Sequence, residues 1–162
     1  MIDPNYFSED IKEFLKLLAE CNVKYLIVGG EAVIYYGHTR LTGDIDIYYS
    51  LDNKNTENLF KALKKFWGGL IPNVDSIQDI RKKDMIIQFG LPPNRIDLIN
   101  SLEPFTFNQA WENRLKEKLK IKGNIYPVYF IGIQDLIANK RIAGRNKDID
   151  DLKFLLKKVN DK

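Results

Sequence analysis

The sequence predicts a single α/β domain built on a mixed, mainly antiparallel sheet, with helices packed largely on one side. The first observation is length, because 162 residues suffice for one domain with a sizeable core. The second is a short apolar run, Tyr25–Val28, which favours a strand and leads through Gly29-Gly30 into a segment with helical potential. The third is a pair of later strand candidates, 45–49 and 95–99, which are expected beside the first strand near the middle of the sheet.

Helices are predicted both before and after this first strand in the sequence. Ser8 can cap a helix that runs to about Glu20, and the helix carries an apolar face made of Ile11, Phe14, Leu15 and Leu18. A second helix, Asn55 to Phe66, ends at a pair of glycines. The chain therefore divides into an N-terminal helix at 8–20, a core at 23–130 and C-terminal helices at 133–159.

The segments that follow alternate between strands, turns and helices. The segment 70–83 is predicted as a loop, with a short helical turn as the alternative. A proline-containing turn then joins two predicted strands, Met85–Phe89 and Arg95–Ile99. A hairpin around Gly123-Asn124 is predicted from Leu115–Ile121 and Ile125–Phe130. The remaining helices are predicted at Phe107–Asn113, at Ile133–Ala143 and from an Asn146 cap to about Val159.

Composition narrows the class of protein. A hydrophobic content of 44% and a charged content of 29% are typical of a soluble globular domain. Cys21 is the single cysteine, so a disulfide framework is excluded, and it is expected to pack as a small buried residue. No apolar run approaches roughly 18 residues, and the N-terminus lacks a signal pattern, which favours a cytoplasmic protein without a membrane partner.

Charge is distributed unevenly along the chain. The net charge is only +3, but the segment 114–147 carries nine lysines and arginines against two acids, Glu117 and Asp135. Such a local excess suits an anionic substrate.

Two aspartates mark the most informative stretch. Asp44 and Asp46 stand two residues apart, so in a strand both carboxylates point to one face while Ile45 and Ile47 point to the core. Neighbouring carboxylates repel each other, which raises a pKa or recruits a hard divalent cation such as Mg²⁺. A solvent-exposed strand face would also tolerate spaced acids. The glycine pair upstream favours a metal site beside a phosphate site.

Further motifs occur in a fixed order along the chain. Gly29-Gly30 precede Asp44-Ile45-Asp46 by thirteen residues, and Asp97 follows alone on a later strand. The other matches are Arg40-Leu41-Thr42-Gly43, Asp135-Leu136, Lys140, Ala143-Gly144-Arg145, Lys147-Asp148 and Asp151-Leu152. Together they resemble the nucleotidyltransferase superfamily related to DNA polymerase beta, and within it the bacterial branch that includes AbiE-type toxin nucleotidyltransferases. The resemblance runs from about Val23 to Leu156.

This resemblance implies a nucleotidyltransferase-like fold and a metal-dependent reaction. Asp44, Asp46 and Asp97 would be the catalytic and metal-binding acids, holding two Mg²⁺ ions, with Mn²⁺ as the alternative. Gly29 and Gly30 would bind the triphosphate of a nucleoside triphosphate such as ATP through backbone N–H groups. A nucleoside monophosphate would pass to a hydroxyl of RNA, protein or a small molecule, releasing pyrophosphate. The branch also implies a cognate toxin or antitoxin protein as a partner.

Four more residues are candidates for nucleotide binding: Arg40, Thr42, Lys140 and Arg145. Arg40 can bind phosphate or pair with Asp44, and Thr42 can instead bond to the local backbone. Lys140 is expected to be exposed and to reach the triphosphate, assisted by Arg145. A surface pair between Lys140 and Asp148 is its alternative, and Asp148 can also cap the last helix.

Other functional classes fit the sequence less well. Gly29-Gly30-Glu31 does not form the G-x-G-x-x-G pattern of dinucleotide-binding proteins, and a P-loop is absent. The single histidine, His38, is expected in a solvent or hydrogen-bonding role, and phosphoryl-type transfer does not require a histidine base. The serious alternative is a non-catalytic nucleotide-binding or antitoxin-like module of the same fold. The presence of all three acids argues against an inactive site.

Overall fold

The computed structural model describes residues 1–161 as a mixed α/β domain with one six-stranded sheet. The strands are β1 (Tyr25–Val28), β2 (Asp44–Tyr49), β3 (Ile86–Phe89), β4 (Arg95–Ile99), β5 (Leu115–Ile121) and β6 (Asn124–Phe130). The helices are α1 (Glu9–Glu20), α2 (Gly29–Tyr35), α3 (Asn53–Phe66), α4 (Ile77–Arg81), α5 (Phe107–Glu112), α6 (Ile133–Ala143) and α7 (Asn146–Asn160).

The sheet is mixed, as predicted, with the strand order β3-β4-β2-β1-β6-β5. Three neighbouring pairs are antiparallel, β3 with β4, β2 with β1, and β6 with β5, while β4–β2 and β1–β6 are parallel. The three strands that were expected near the middle, β4, β2 and β1, occupy adjacent inner positions. All four residues of β1 are buried, which explains its continuous apolar sequence.

The N-terminal helix forms for the reasons visible in its sequence. The side chain of Ser8 accepts a hydrogen bond from the backbone N–H of Ile11, which caps the helix start. Phe14, Leu15 and Leu18 are completely buried, and each such side chain contributes about 1.5–3 kcal/mol through burial. Helix α1 packs against α3 and β6. Cys21 follows as a buried residue, as expected.

Several local boundaries differ from the prediction by one or two residues; α3, for example, begins at Asn53. The hairpin turn between β5 and β6 consists of Lys122 and Gly123, which both have positive φ and so form the tight connection one residue earlier than expected. The cap of α7 is also displaced: Arg145, not Asn146, is the N-cap residue. Its backbone N–H donates to the carboxylate of Asp148 at 3.1 Å, because an acid three residues into the helix can satisfy that orphan donor.

Among the helices within residues 1–161, none combines the length and the apolar character that are needed to span a membrane.

Candidate active site

The pairing of β2 with β4 brings the three predicted acids together. The two strands are parallel and in register, so Asp46 lies opposite Asp97, and Asp44 lies opposite Arg95. Ligand atoms of Asp44, Asp46 and Asp97 all lie within 4.8 Å of one another, which confirms the expectation that Asp97 stands beside the aspartate pair. Three clustered carboxylates are the donor set that hard divalent cations accept, so these residues could hold such a cation.

Arg95 holds two of the three acids. Its Nη2 donates to Asp44 Oδ2 at 2.6 Å and to Asp97 Oδ2 at 2.9 Å, and its Nε donates to Asp97 Oδ1 at 2.8 Å. Gln88 adds a bond from Nε2 to Asp97 Oδ2 at 3.1 Å. The guanidinium therefore acts as the counter-ion of the acidic cluster. Sequence reasoning missed Arg95, although its position two residues before Asp97 places both side chains on one strand face.

Asp46 differs from its neighbours because the guanidinium of Arg95 does not contact it. Burial, followed by repulsion from Asp44 and Asp97, raises the pKa of Asp46 to about 6. The positive charges of Lys147 and Lys140 oppose this shift without cancelling it. Binding of a proton or a metal cation therefore stabilises this carboxylate.

The glycine pair allows the start of α2 to approach the acids. Gly29 has φ +64°, a conformation that side chains disfavour, and a Cβ atom there would overlap Asp46 Oδ2. A Cβ on Gly30 would lie 3.0 Å from Thr42 Oγ1 and 3.1 Å from an Arg40 nitrogen. Gly29 is therefore required by its backbone conformation and by close packing, whereas a side chain at Gly30 would have to displace Thr42 and Arg40 slightly.

Thr42 supports the acidic cluster directly. Its hydroxyl donates to the Asp44 carboxylate, Oδ1, at 3.0 Å, and it also lies 3.3 Å from the Asp44 backbone oxygen. The predicted local bond of Thr42 is thus present, and it includes a side-chain contact that orients an acid.

Arg40 is placed differently from expectation. Of the two roles weighed for Arg40, the pair with Asp44 is absent, because Nη1 of Arg40 instead donates to both carboxylate oxygens of Asp151, at 2.8 and 2.6 Å. His38 lies nearby, with Nε2 3.9 Å from Asp151 Oδ1 and its ring stacked on Phe154. The connection between α2 and β2 is in this way attached to the C-terminal helix.

Asp151 belongs to a larger cluster of charged residues. We call it the buried ion-pair cluster, and its members are Arg40, Lys140, Arg145, Asp148 and Asp151. Lys140 Nζ donates to Asp148 at 2.7 Å and to Asp151 at 2.8 Å. Asp148 and Asp151 are both almost completely buried.

Lys140 is therefore not the exposed lysine that the sequence suggested. Only 1% of Lys140 is exposed, because the packing of α6 against α7 encloses it. Both roles weighed for Asp148 are present, since it pairs with Lys140 and also caps α7. Burial works against the charged form, but hydrogen bonds from Arg145 and Lys140 lower the pKa of Asp148 to about 2.

A single cavity of about 220 Å³ connects the acids, the glycines and the cations. All nine predicted site residues line it, namely Gly29, Gly30, Arg40, Thr42, Asp44, Asp46, Asp97, Lys140 and Arg145. Five lining residues were not predicted as part of the site: Ile86, Gln88, Arg95, Ile99 and Lys147. Larger cavities of about 560 and 670 Å³ lie beside Trp67 and Phe105, but neither contains the acidic cluster.

Comparison with known proteins identifies the family of the chain. Residues 8–159 match a family model described as "Nucleotidyltransferase of unknown function (DUF6036)". A search of curated proteins finds no match to the chain. Because the family model covers nearly the whole chain, the protein belongs to this nucleotidyltransferase family.

Proposed function

We propose that the protein transfers a nucleoside monophosphate from a nucleoside triphosphate to an acceptor hydroxyl, with release of pyrophosphate, in a metal-dependent reaction. The observation that carries this proposal is the arrangement of Asp44, Asp46 and Asp97 within 4.8 Å of one another, in a cavity that also contains a glycine pair and several cations. Positioning and charge neutralisation supply most of the catalysis in such transfers. The acceptor is a hydroxyl of RNA, protein or a small molecule.

The acids are proposed to hold two Mg²⁺ ions, or Mn²⁺ in their place. When bound, the metal would neutralise developing charge on the phosphates and lower the pKa of the acceptor hydroxyl. For this, Arg95 has to release Asp44 and Asp97, since its guanidinium occupies their oxygens. Asp46 needs no such release and provides the carboxylate that is first available to a cation.

The triphosphate is proposed to lie between the acids and the C-terminal helices. Gly29 and Gly30 offer backbone N–H groups there, and their lack of side chains permits close approach. Arg145 is 58% exposed at its side chain, so it can reach a phosphate while keeping its contact with Asp148. Lys147 lines the same cavity. Arg40 and Lys140 contribute positive charge from positions fixed by Asp151. Thr42 contributes by orienting Asp44.

Incubation with each labelled nucleoside triphosphate tests the reaction. Pyrophosphate release and label transfer are expected with Mg²⁺ or Mn²⁺ and should disappear when the metal is chelated. Asp46→Asn should abolish both, whereas Asp150→Asn, at an exposed position on α7, should leave both unchanged. Nucleotide binding without pyrophosphate release, over a broad set of RNA, protein and small-molecule acceptors, would instead identify a non-catalytic binding module.

A further inference from the structure

An apolar surface lies directly beside the acidic cluster. Strands β3 and β4 pair so that Gln88 lies opposite Asp97 and Ile86 lies opposite Ile99. Since alternate residues of a strand share a face, Ile86 and Ile99 lie on the same side of the sheet as Asp97 and Arg95. We call this isoleucine pair the apolar ledge. Both of its residues line the cavity that contains the acids.

The exposure of the ledge is not explained by packing. Ile86 is 61% exposed, while its neighbours Ile87 and Phe89 point to the other face and are only 5% and 3% exposed. Strand β3 is at the edge of the sheet, where an exposed isoleucine favours unwanted association rather than stability. The core therefore gains little from Ile86, and a ligand is a better reason for its presence.

Space for such a ligand exists on the same side. A second cavity, of about 480 Å³, adjoins the acidic cavity and shares Ile86, Gln88 and Arg95 with it. Its remaining lining residues include the apolar side chains of Met85, Leu91 and Pro92. One end of the combined space is therefore strongly charged, and the other end offers several apolar side chains beside polar residues such as Asn73 and Gln88. A ligand that fits both ends has an anionic group and an apolar ring system.

We propose that the apolar ledge binds the ribose and nucleobase of the nucleoside triphosphate, while the phosphates lie at the acids. This inference rests on the proposed function and specifies where the nucleoside half of that substrate lies. From Asp97 to Ile99 the strand advances about 7 Å, which is similar to the separation between the α-phosphate and the glycosidic bond of a nucleotide. The ring face then covers Ile86 and Ile99, removing their side chains from water.

Inorganic tripolyphosphate separates the two halves of the substrate. It carries the phosphates of a nucleotide but has nothing to place on the ledge. Binding of tripolyphosphate and of a non-hydrolysable α,β-methylene nucleoside triphosphate should be measured by titration calorimetry with Mg²⁺. The proteins are the wild type, Ile86→Ala, Ile99→Ala and the control Ile125→Ala. Ile125 is a suitable control because it lies on strand β6 and is 55% exposed, close to the exposure of Ile86.

Each ledge variant is expected to weaken nucleotide binding by about threefold to tenfold, because apolar contact area is lost. Tripolyphosphate affinity should stay unchanged in both, and the control should bind both ligands like the wild type. Ile86 carries the test by itself if Ile99→Ala lowers the melting temperature, since Ile86 is mostly exposed.

Three outcomes would overturn the inference. Equal nucleotide affinity in Ile86→Ala and the wild type, with tripolyphosphate bound normally, overturns the role of the ledge but leaves the proposed function in place. Equal loss of both ligands in Ile86→Ala also overturns it, because the change would then act through the acids. A wild type that binds neither ligand overturns the proposed function together with the ledge.

Discussion

Two groups of charged residues share one cavity but differ in how their charges are balanced. In the acidic cluster, three carboxylates face the single guanidinium of Arg95, and the pKa of Asp46 rises to about 6. In the buried ion-pair cluster, three cations face two carboxylates, and the pKa of Asp148 falls to about 2. The first group therefore has an excess of negative charge, which a bound metal cation can neutralise. The second has its carboxylates paired within the protein, so it stabilises the fold, and its three cations line the cavity.

The largest expected effect is on the buried ion-pair cluster. Lys140→Ala should lower the free energy of unfolding by about 3–5 kcal/mol, because it leaves Asp148 and Asp151 buried with part of their positive charge missing. Urea unfolding of the metal-free protein measures this change. Lys153→Ala, at an exposed lysine on the same helix α7, should change the free energy by much less. A small effect of Lys140→Ala would show that the cluster is not structural.

The next effect has the opposite sign and belongs to the acidic cluster. The pKa of Asp46 is raised from 3.8 to about 6, so its contribution to stability is fully present below pH 3.8 and is lost as pH rises through about 6. Asp46→Asn should therefore stabilise the metal-free protein at pH 7–8, by at most about 3 kcal/mol.

Thermal unfolding at pH 4 and pH 8 checks this prediction, because the advantage of the variant should vanish at the lower pH. Asp97→Asn is the matched comparison. Its carboxylate is bonded by Arg95 and Gln88, so that variant should lose stability at pH 8. A destabilised Asp46→Asn protein at pH 8 would show that Asp46 makes a structural bond.

A smaller change is expected from the counter-ion of the acidic cluster. Arg95→Gln should lower the free energy of unfolding of the metal-free protein by about 2 kcal/mol, since charge-assisted bonds to Asp44 and Asp97 are lost. The same variant should bind Mn²⁺ about tenfold more tightly, because the cation no longer displaces a guanidinium. Titration calorimetry with Mn²⁺ alone measures the affinity. Unchanged or weaker Mn²⁺ binding would mean that Arg95 and the metal do not compete.

The smallest effect is expected at the exposed margin of the buried ion-pair cluster. Arg145→Ala should cost less than about 1 kcal/mol, because its side chain is 58% exposed and water screens its pair with Asp148. Asp148 also keeps its bond to Lys140. Thermal unfolding of Arg145→Ala and of Lys140→Ala under the same conditions compares the two losses of stability. Similar losses in the two proteins would remove the distinction between the margin and the centre of the cluster.

Local patterns in the sequence were sufficient to predict much of the fold. Strand β1 has a continuous apolar run, and helix α1 has a capping serine and one apolar face, so each element is specified by adjacent residues. The acidic site was predictable for a similar reason. Asp44 and Asp46 share a face by strand alternation, whereas Asp97 was expected beside them because of the resemblance to nucleotidyltransferases.

Contacts between distant segments were not predictable in this way. The burial of Lys140 depends on how α6 packs against α7, and the partner of Arg40 lies 111 residues away at Asp151. Gln88, and the contact of Arg95 with Asp44, became evident only when the order of the strands was known, because sheet register decides which side chains lie opposite the acids. Charge counts along the sequence cannot distinguish a solvated lysine from a buried one.

The pair between Arg40 and Asp151 also has a consequence for how the protein folds. Closing a contact across 111 residues costs more chain entropy than the local contacts of hairpin β5–β6, so we expect it to form late. All three acids and their counter-ion Arg95 precede residue 98, but Lys140 and Lys147, whose charges also oppose the repulsion at Asp46, join them only when α6 and α7 dock. Pulsed hydrogen exchange during refolding should therefore show protection of α7 after that of β1 and β2. Until that docking step, the chain contains its acids without an assembled site.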